Sequence, residues 1–184
     1  GVVDALELEK CISSQTKAIV VPHLYGYGAD MEEIVELAKA NNALGIEDVA
    51  QAIGVKIAER KVGTYGDIAV FSFHDQKNMT TLGEGGMIVV NNDRFVDVVP
   101  MLRHNGHCDF GMEREDYWLP AMGNLAVPML EGTQLWPNNV CLGEVQCALA
   151  SELLKRVDHI NAEKRKRAIK FIDSLSDQSL LQFH

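Results

Sequence analysis

The sequence predicts an α/β fold built on a mainly parallel central sheet. Three observations carry this. Two short continuous apolar runs, Ala18-Ile19-Val20-Val21 and Ala43-Leu44-Gly45-Ile46, have the character of strands buried on both faces. Between them Met31, Ile34, Val35, Leu37 and Ala38 recur at helical spacing. Strand, helix and strand in that order form a βαβ unit, whose crossover rule makes the two strands parallel.

The elements follow in chain order. Leu6, Leu8 and Ile12 predict a short helix over 6–12. The first strand covers 18–21, and Pro22-His23-Leu24-Tyr25-Gly26-Tyr27-Gly28 is a loop. Asp30 is placed to cap the following helix, with Glu33 completing a capping-box-like pair. Asn41-Asn42 ends that helix. Glu47 and Asp48 then emerge at the carboxyl end of the second strand, the edge where open α/β sheets bind ligands. A short helix is expected over 49–55, then a turn-rich loop, Lys61-Val62-Gly63-Thr64-Tyr65-Gly66-Asp67. A third strand covers 68–73, and Met87-Ile88-Val89-Val90 is a fourth, bounded by Asn91-Asn92.

From Asp93 a helix is expected to run toward Arg103, with Pro100 as a kink or break. Residues 104–139 lack clear periodicity and carry Tyr117, Trp118 and Trp136 among glycines and prolines. A stretch of this length is expected to be functional or a packing and dimer surface. Residues 142–175 return to a helical pattern. Val145, Leu149, Leu153, Val157 and Ile160 form a stripe, and Asn161 is the expected break if there are two helices.

Composition narrows the function. Of 184 residues, 47% are hydrophobic and 23% charged, as in ordinary globular proteins. The net charge of -9 argues against nucleic acid as a partner, because binding a phosphate backbone needs a cationic surface. The one basic run, Lys164-Arg165-Lys166-Arg167, reads as a solvated helix face. Cys11, Cys108, Cys141 and Cys147 show no C-x-x-C spacing and are expected to be reduced thiols in a cytoplasmic protein. No apolar run is long enough to span a bilayer, so no membrane is expected, and the first residues do not read as a signal peptide. The chain opens on glycine rather than methionine, and its tail, 177–184, ends without domain-like closure. It is therefore expected to be a piece of a longer protein.

The chemistry gathers around Phe71-Ser72-Phe73-His74-Asp75-Gln76-Lys77, followed by Thr80-Thr81 and Gly83-Glu84-Gly85-Gly86. A lysine displayed just past a strand end can form an imine with an aldehyde. A carboxylate at Asp48 can keep a heteroaromatic nitrogen protonated, because an ion pair favours both charged forms. The hydroxyl of Ser72 can donate to a phosphate. Each residue also has a plain structural reading. Asp48 can cap the turn that follows it, Ser72 can be an ordinary strand hydroxyl, and Lys77 a solvated surface charge. His104, His107 and Cys108 cluster as a possible metal site, but no fourth ligand follows at a strong spacing, and no metal is expected. No G-x-G-x-x-G or G-x-S-x-G is present.

Several motifs together resemble one family. These are Ile46-Glu47-Asp48-Val49-Ala50-Gln51-Ala52 with Gly54, Val62-Gly63-Thr64-Tyr65-Gly66-Asp67, Phe71-Ser72-Phe73-His74-x-x-Lys77 and Gly83-Glu84-Gly85-Gly86-Met87. To them are added Val21-Pro22-His23-Leu24-Tyr25-Gly26, Leu102-Arg103-His104-Asn105-Gly106 and Asn139-Val140-Cys141-Leu142-Gly143-Glu144-Val145-Gln146. In their order along the chain they resemble the DegT/DnrJ/EryC1/StrS sugar aminotransferases, fold-type I enzymes that use pyridoxal 5'-phosphate (PLP). The resemblance implies a three-layer α/β sandwich like the large domain of aspartate aminotransferase. Residues 1–139 would be part of that PLP-binding domain. Residues 140–184 would be a long helix leading into the C-terminal small domain.

The resemblance also implies roles. Lys77 would be the Schiff-base lysine and the catalytic base. Asp48 would hold the pyridine nitrogen, Gln51 the ring's 3'-oxygen, and Ser72 the phosphate. Asn139 would reach the phosphate in a partner subunit, which implies a homodimer with shared sites. Substrates would be glutamate as amino donor and a keto sugar, usually nucleotide-linked, as acceptor, in a two-stroke transfer. One branch of the family carries histidine in place of the lysine and removes a sugar hydroxyl instead, so Lys77 implies amino transfer. Two alternatives stay open: a cyclitol- or aminobenzoate-forming relative, and a domain of this fold that dimerises without holding the cofactor. Cys141 stands where family members often carry arginine.

Overall fold

The computed structural model describes residues 2–108 and 125–175. Helix α1 (Ala5–Glu9) is capped by Asp4, whose side chain accepts hydrogen bonds from the Leu6 and Glu7 amides. Strand β1 (Ala18–Pro22), a 3₁₀ turn at Leu24–Gly26, helix α2 (Met31–Ala40) and strand β2 (Leu44–Asp48) follow. A small hairpin comes next, β3 (Lys56–Ile57) and β4 (Arg60–Lys61). Then come β5 (Ile68–Ser72) and β6 (Gly86–Val90). Beyond them lie helix α3 (Val98–Arg103), the hairpin β7 (Met129–Leu130) and β8 (Thr133–Gln134), and helices α4 (Glu144–Leu154) and α5 (Val157–Ser174).

The main sheet has the strand order β1-β2-β5-β6. β1 and β2 run parallel, with Ala18 opposite Leu44 and Pro22 opposite Asp48. β2 and β5 are parallel, with Asp48 opposite Val70, and β6 closes the sheet antiparallel to β5. Three strands therefore end at the same edge, and the connection from β5 to β6 folds back over it.

One face of the sheet carries the core. α2 sends Met31, Ile34 and Ala38 against Ile19 and Val21, and Tyr65 joins them. Each large aliphatic side chain buried in this way contributes about 1.5–3 kcal/mol. A second cluster, Val49, Ala52, Val62 and Ala69, lies under the loop that follows the hairpin. That loop presses on β2: a Cβ added at Gly66 would stand 2.6 Å from the Gly45 carbonyl oxygen.

Several expectations change. β1 alternates rather than being buried on both faces: Ile19 and Val21 are buried, whereas Val20 is 60% exposed. It is an edge strand, and α2 covers one side of it. Asp30 makes no side-chain cap, so the predicted capping box does not form. Residues 49–55 are turns rather than a helix. Their amides make three-residue hydrogen bonds (Ala52 to Val49, Val55 to Ala52), and Gly54 at φ +83° leaves the helical region. Pro100 does not break its helix, because it lies in the first turn of α3, where its missing N–H costs no helical bond. The break instead separates α3 from a 3₁₀ turn at Asp93–Phe95.

α4 and α5 are separated at Lys155-Arg156 rather than at Asn161, where the chain turns Val157 into the core. The stripe is not uniformly buried, since Val145 is 68% exposed. In the stretch without clear periodicity, β7 and β8 form a hairpin with Glu131 and Gly132 at positive φ, as a type I′ turn requires. Tyr117, Trp118 and the tail 177–184 lie outside the described residues. Among the described residues, no helix is long and apolar enough to cross a membrane.

Candidate active site

β2 ends on two carboxylates, and the alternation of a strand sends them to opposite faces. Both were expected to emerge toward the ligand edge, but Glu47 turns inward and is fully buried. Asp48 faces the other side, half-buried, and its Oδ1 accepts a hydrogen bond from the Ala50 amide at 3.0 Å. This is the capping reading of Asp48, realised on a turn. It occupies one carboxylate oxygen. Ser72 lies two residues beyond Val70, the register partner of Asp48, so the two side chains share one face of the sheet. The Ser72 Oγ accepts weakly from the His74 amide at 3.4 Å, and among the described residues its hydroxyl donates to no acceptor.

Lys77 sits in the connection from β5 to β6. That connection is pinned by Phe73 N–H to Gly85, Asp75 N–H to Gly83, Thr81 N–H to Phe73 and Lys77 N–H to His74, all at 2.8–3.0 Å. The Lys77 side chain is half-buried, and its amine makes no hydrogen bond or ion pair among the described residues. Three residues on, the Thr80 hydroxyl is buried without a partner among the described residues. Buried polar atoms are nearly always paired, so an orphaned hydroxyl beside this turn fits a site that receives a polar ligand.

Gln51, in the turn after Asp48, accepts a hydrogen bond from the Tyr25 amide at 3.1 Å. A backbone N–H can only donate, so the Gln51 carbonyl oxygen must face Tyr25, and its NH₂ is directed away. The bond also holds Tyr25 in the left-handed region at φ 55°. Non-glycine residues pay on the order of 1 kcal/mol there and gather at functional sites. Asn139 is exposed and paired through its backbone with His104. The structure thus brings Asp48, Gln51, Ser72 and Lys77 to one edge of the sheet and leaves Asn139 on a separate segment. The His104 and His107 rings stack at 4.3 Å, and among the described residues no group of three His, Cys, Asp or Glu is placed to hold a metal.

The inward carboxylate is the feature that sequence reasoning missed. Glu47 Oε1 accepts from the Tyr65 amide at 2.7 Å and the Gly66 amide at 2.8 Å. Its Oε2 accepts from the Gly63 amide at 2.6 Å and lies 3.2 Å from His23 Nε2. The Ala29 amide donates to His23 Nδ1 at 3.1 Å. Nδ1 is therefore bare, and Nε2–H is the donor to Glu47. Burial pushes the Glu47 carboxyl up, but the hydrogen bonds from His23, Gly66, Gly63 and Tyr65 outweigh it and hold the group below its ordinary value of 4.5. A glutamate inside an apolar strand, followed by a Gly-x-Tyr-Gly loop, was the available signal.

The residues present fit PLP. Among the described residues, an amine, one carboxylate oxygen, an amide NH₂ and the donor sides of two hydroxyls are left without partners in and beside this edge. They match an aldehyde carbon, a ring nitrogen, a phenolic oxygen and a phosphate.

Known proteins similar to this chain are aminotransferases. The chain is 38% identical over 164 residues to GDP-perosamine synthase of Caulobacter vibrioides, covering 89% of this chain and 39% of that one. It is 34% identical over 178 residues to L-glutamine:2-deoxy-scyllo-inosose aminotransferase of Streptoalloteichus tenebrarius, covering 97% of this chain and 40% of that one. The chain therefore spans about two fifths of the length of these relatives. The solved aminotransferase from Psychrobacter cryohalolentis superposes with a TM-score of 0.78 at 28% identity, over 95% of this chain and 42% of that one. The model of the DegT/DnrJ/EryC1/StrS aminotransferase family matches residues 1–184, and the chain belongs to that family.

Proposed function

We propose that this chain carries the lysine-bearing edge of a PLP-dependent aminotransferase that moves an amino group from glutamate to a keto sugar, nucleotide-linked, in two half-reactions. The observation that supports it most is the half-buried Lys77 amine, without a partner among the described residues, in the turn beyond the strand that carries Ser72, beside the strand that carries Asp48. When bound, PLP supplies the electron sink for breaking a bond at the amino-bearing carbon.

The chain's own residues do the rest. Lys77 would hold the cofactor through its amine and, with that amine free, would carry a proton to and from the substrate carbon. Asp48, through the oxygen that Ala50 leaves open, keeps the ring nitrogen protonated. Gln51, with its carbonyl held by Tyr25, offers its NH₂ to the 3'-oxygen. Ser72 donates its hydroxyl to the phosphate. Asn139, exposed and on a separate segment, serves the phosphate of a second copy, so the working unit is a homodimer. Residues 1–139 belong to the cofactor-binding unit, and 140–184 open the C-terminal one.

The test is single-turnover amino transfer by full-length protein loaded with PLP. Glutamate should release 2-oxoglutarate, and Lys77→Ala should abolish the release. Equal rates in both proteins would overturn the assignment. The relative that acts on 2-deoxy-scyllo-inosose favours one second reading, a cyclitol acceptor. The residue roles are the same in both. A panel of keto-sugar nucleotides and keto-cyclitols, offered after the glutamate step, decides between them.

A further inference from the structure

Two of the turns that make the site belong to no regular element, and a single residue of α5 ties them together. Asn161 donates through Nδ2 to the carbonyl of Ile53 at 2.8 Å, two residues beyond Gln51. Its Oδ1 accepts from Nδ2 of Asn78, the residue after Lys77, at 3.0 Å. The Asn78 Oδ1 in turn accepts from Lys164 Nζ at 2.6 Å. Among the described residues no other side-chain hydrogen bond joins these two turns.

The chain of bonds has one possible direction. The Ile53 carbonyl can only accept and the Lys164 side chain can only donate. With both ends fixed, each amide between them has one orientation that satisfies every bond. Val157, Asn161 and Lys164 are spaced four and three residues apart, so they share one face of α5. Val157 anchors that face in the core at 5% exposure. Gly54 makes room for the contact: a Cβ there would stand 2.9 Å from Asn161 Nδ2.

We propose that Asn161 is a positioning residue that sets the Gln51 turn and the Lys77 turn at a fixed separation. Through it, α5 bears on the geometry of the lysine. The proposal rests on the site reading above for the role of Lys77, and on the hydrogen bonds alone for the coupling of the turns.

Two measurements on the full-length protein separate these. Amide hydrogen exchange, followed with and without PLP, reports the coupling. Asn161→Ala should raise exchange in 50–55 and 75–80 together, by about three- to tenfold, as expected for the loss of one or two modest hydrogen bonds. A rise in one turn alone, or in neither, overturns the relay, whether or not PLP binds. Lys164 is exposed, so its variants leave the fold intact. Lys164→Gln keeps a donor and should behave as the parent, whereas Lys164→Glu removes it and should loosen the 75–80 turn. Equal behaviour of the two variants also overturns the relay. In the glutamate half-reaction, Asn161→Ala should lower the maximal rate several-fold with a smaller change in KM. An unchanged rate despite loosened turns would overturn the positioning role. If the parent protein itself fails to hold PLP at Lys77, the site reading fails, and the exchange result still decides the relay.

Discussion

Replacing Glu47 by glutamine removes a charge and almost no volume, so its effect can be worked from the hydrogen bonds. The carboxylate takes four donors at 2.6–3.2 Å, two on each oxygen. An amide has one oxygen, so one pair of donors must face its NH₂. In one orientation these are the Tyr65 and Gly66 amides. In the other they are the Gly63 amide and His23 Nε2–H. His23 cannot relieve the clash by changing tautomer, because Nδ1 already accepts from Ala29. Each orphaned buried donor costs about 1–3 kcal/mol, so Glu47→Gln should lose about 2–6 kcal/mol. That is a large part of the 5–15 kcal/mol typical of a whole domain.

Urea unfolding followed by circular dichroism measures this loss as a lower midpoint at unchanged slope. A loss below about 1 kcal/mol would refute the argument, because it would mean the four donors find other partners. The pH dependence has a definite sign. The folded carboxyl lies below its ordinary value of 4.5, so its contribution is complete above 4.5 and is lost as pH falls through the folded value. The gap between the parent and Glu47→Gln should therefore narrow on acidification below 4.5. A gap that widens would contradict an ionised Glu47.

Two further predictions concern the cofactor edge. Asp48→Asn keeps an oxygen for the Ala50 amide, so its urea midpoint should match the parent. Its glutamate half-reaction should slow on the order of 10²–10³-fold, the usual effect of removing a charge matched to one that develops in the reaction. Comparable half-reaction rates would remove Asp48 from its role. Gln51→Glu keeps the acceptor for Tyr25 N–H but has no NH₂ to offer. It should weaken PLP binding about tenfold in a spectroscopic titration, and unchanged affinity would mean that Gln51 serves only to hold the Tyr25 loop.

The sheet was legible because its strands are short apolar runs and the βαβ order sets their polarity. From those two facts Asp48 and Ser72 fall on one edge, where the structure also places them. The turn at 49–55 was not legible. Its alanines and glutamine favour a helix, but Asp48 binds the Ala50 amide and Gly54 sits at φ +83°, so local side-chain chemistry overrides propensity. Asn161 was the expected break if the stretch formed two helices, the alternative being one continuous helix. It lies inside α5 because its amide reaches Ile53, 108 residues away in sequence, and no local pattern encodes such a contact. Glu47 was misplaced for a related reason. Its three amide partners come from a loop 16–19 residues downstream, and only that loop makes burial of a carboxylate tolerable.

The central claim is that Lys77 is the amine that holds the cofactor. Borohydride treatment of the PLP-loaded, full-length protein, followed by proteolysis and mass spectrometry, tests it directly, because reduction fixes the cofactor to the nitrogen that carries it. The pyridoxyl mass should appear on the peptide containing Lys77 and be absent from Lys77→Ala. A label on another lysine, or no label on a protein that binds PLP, would contradict it.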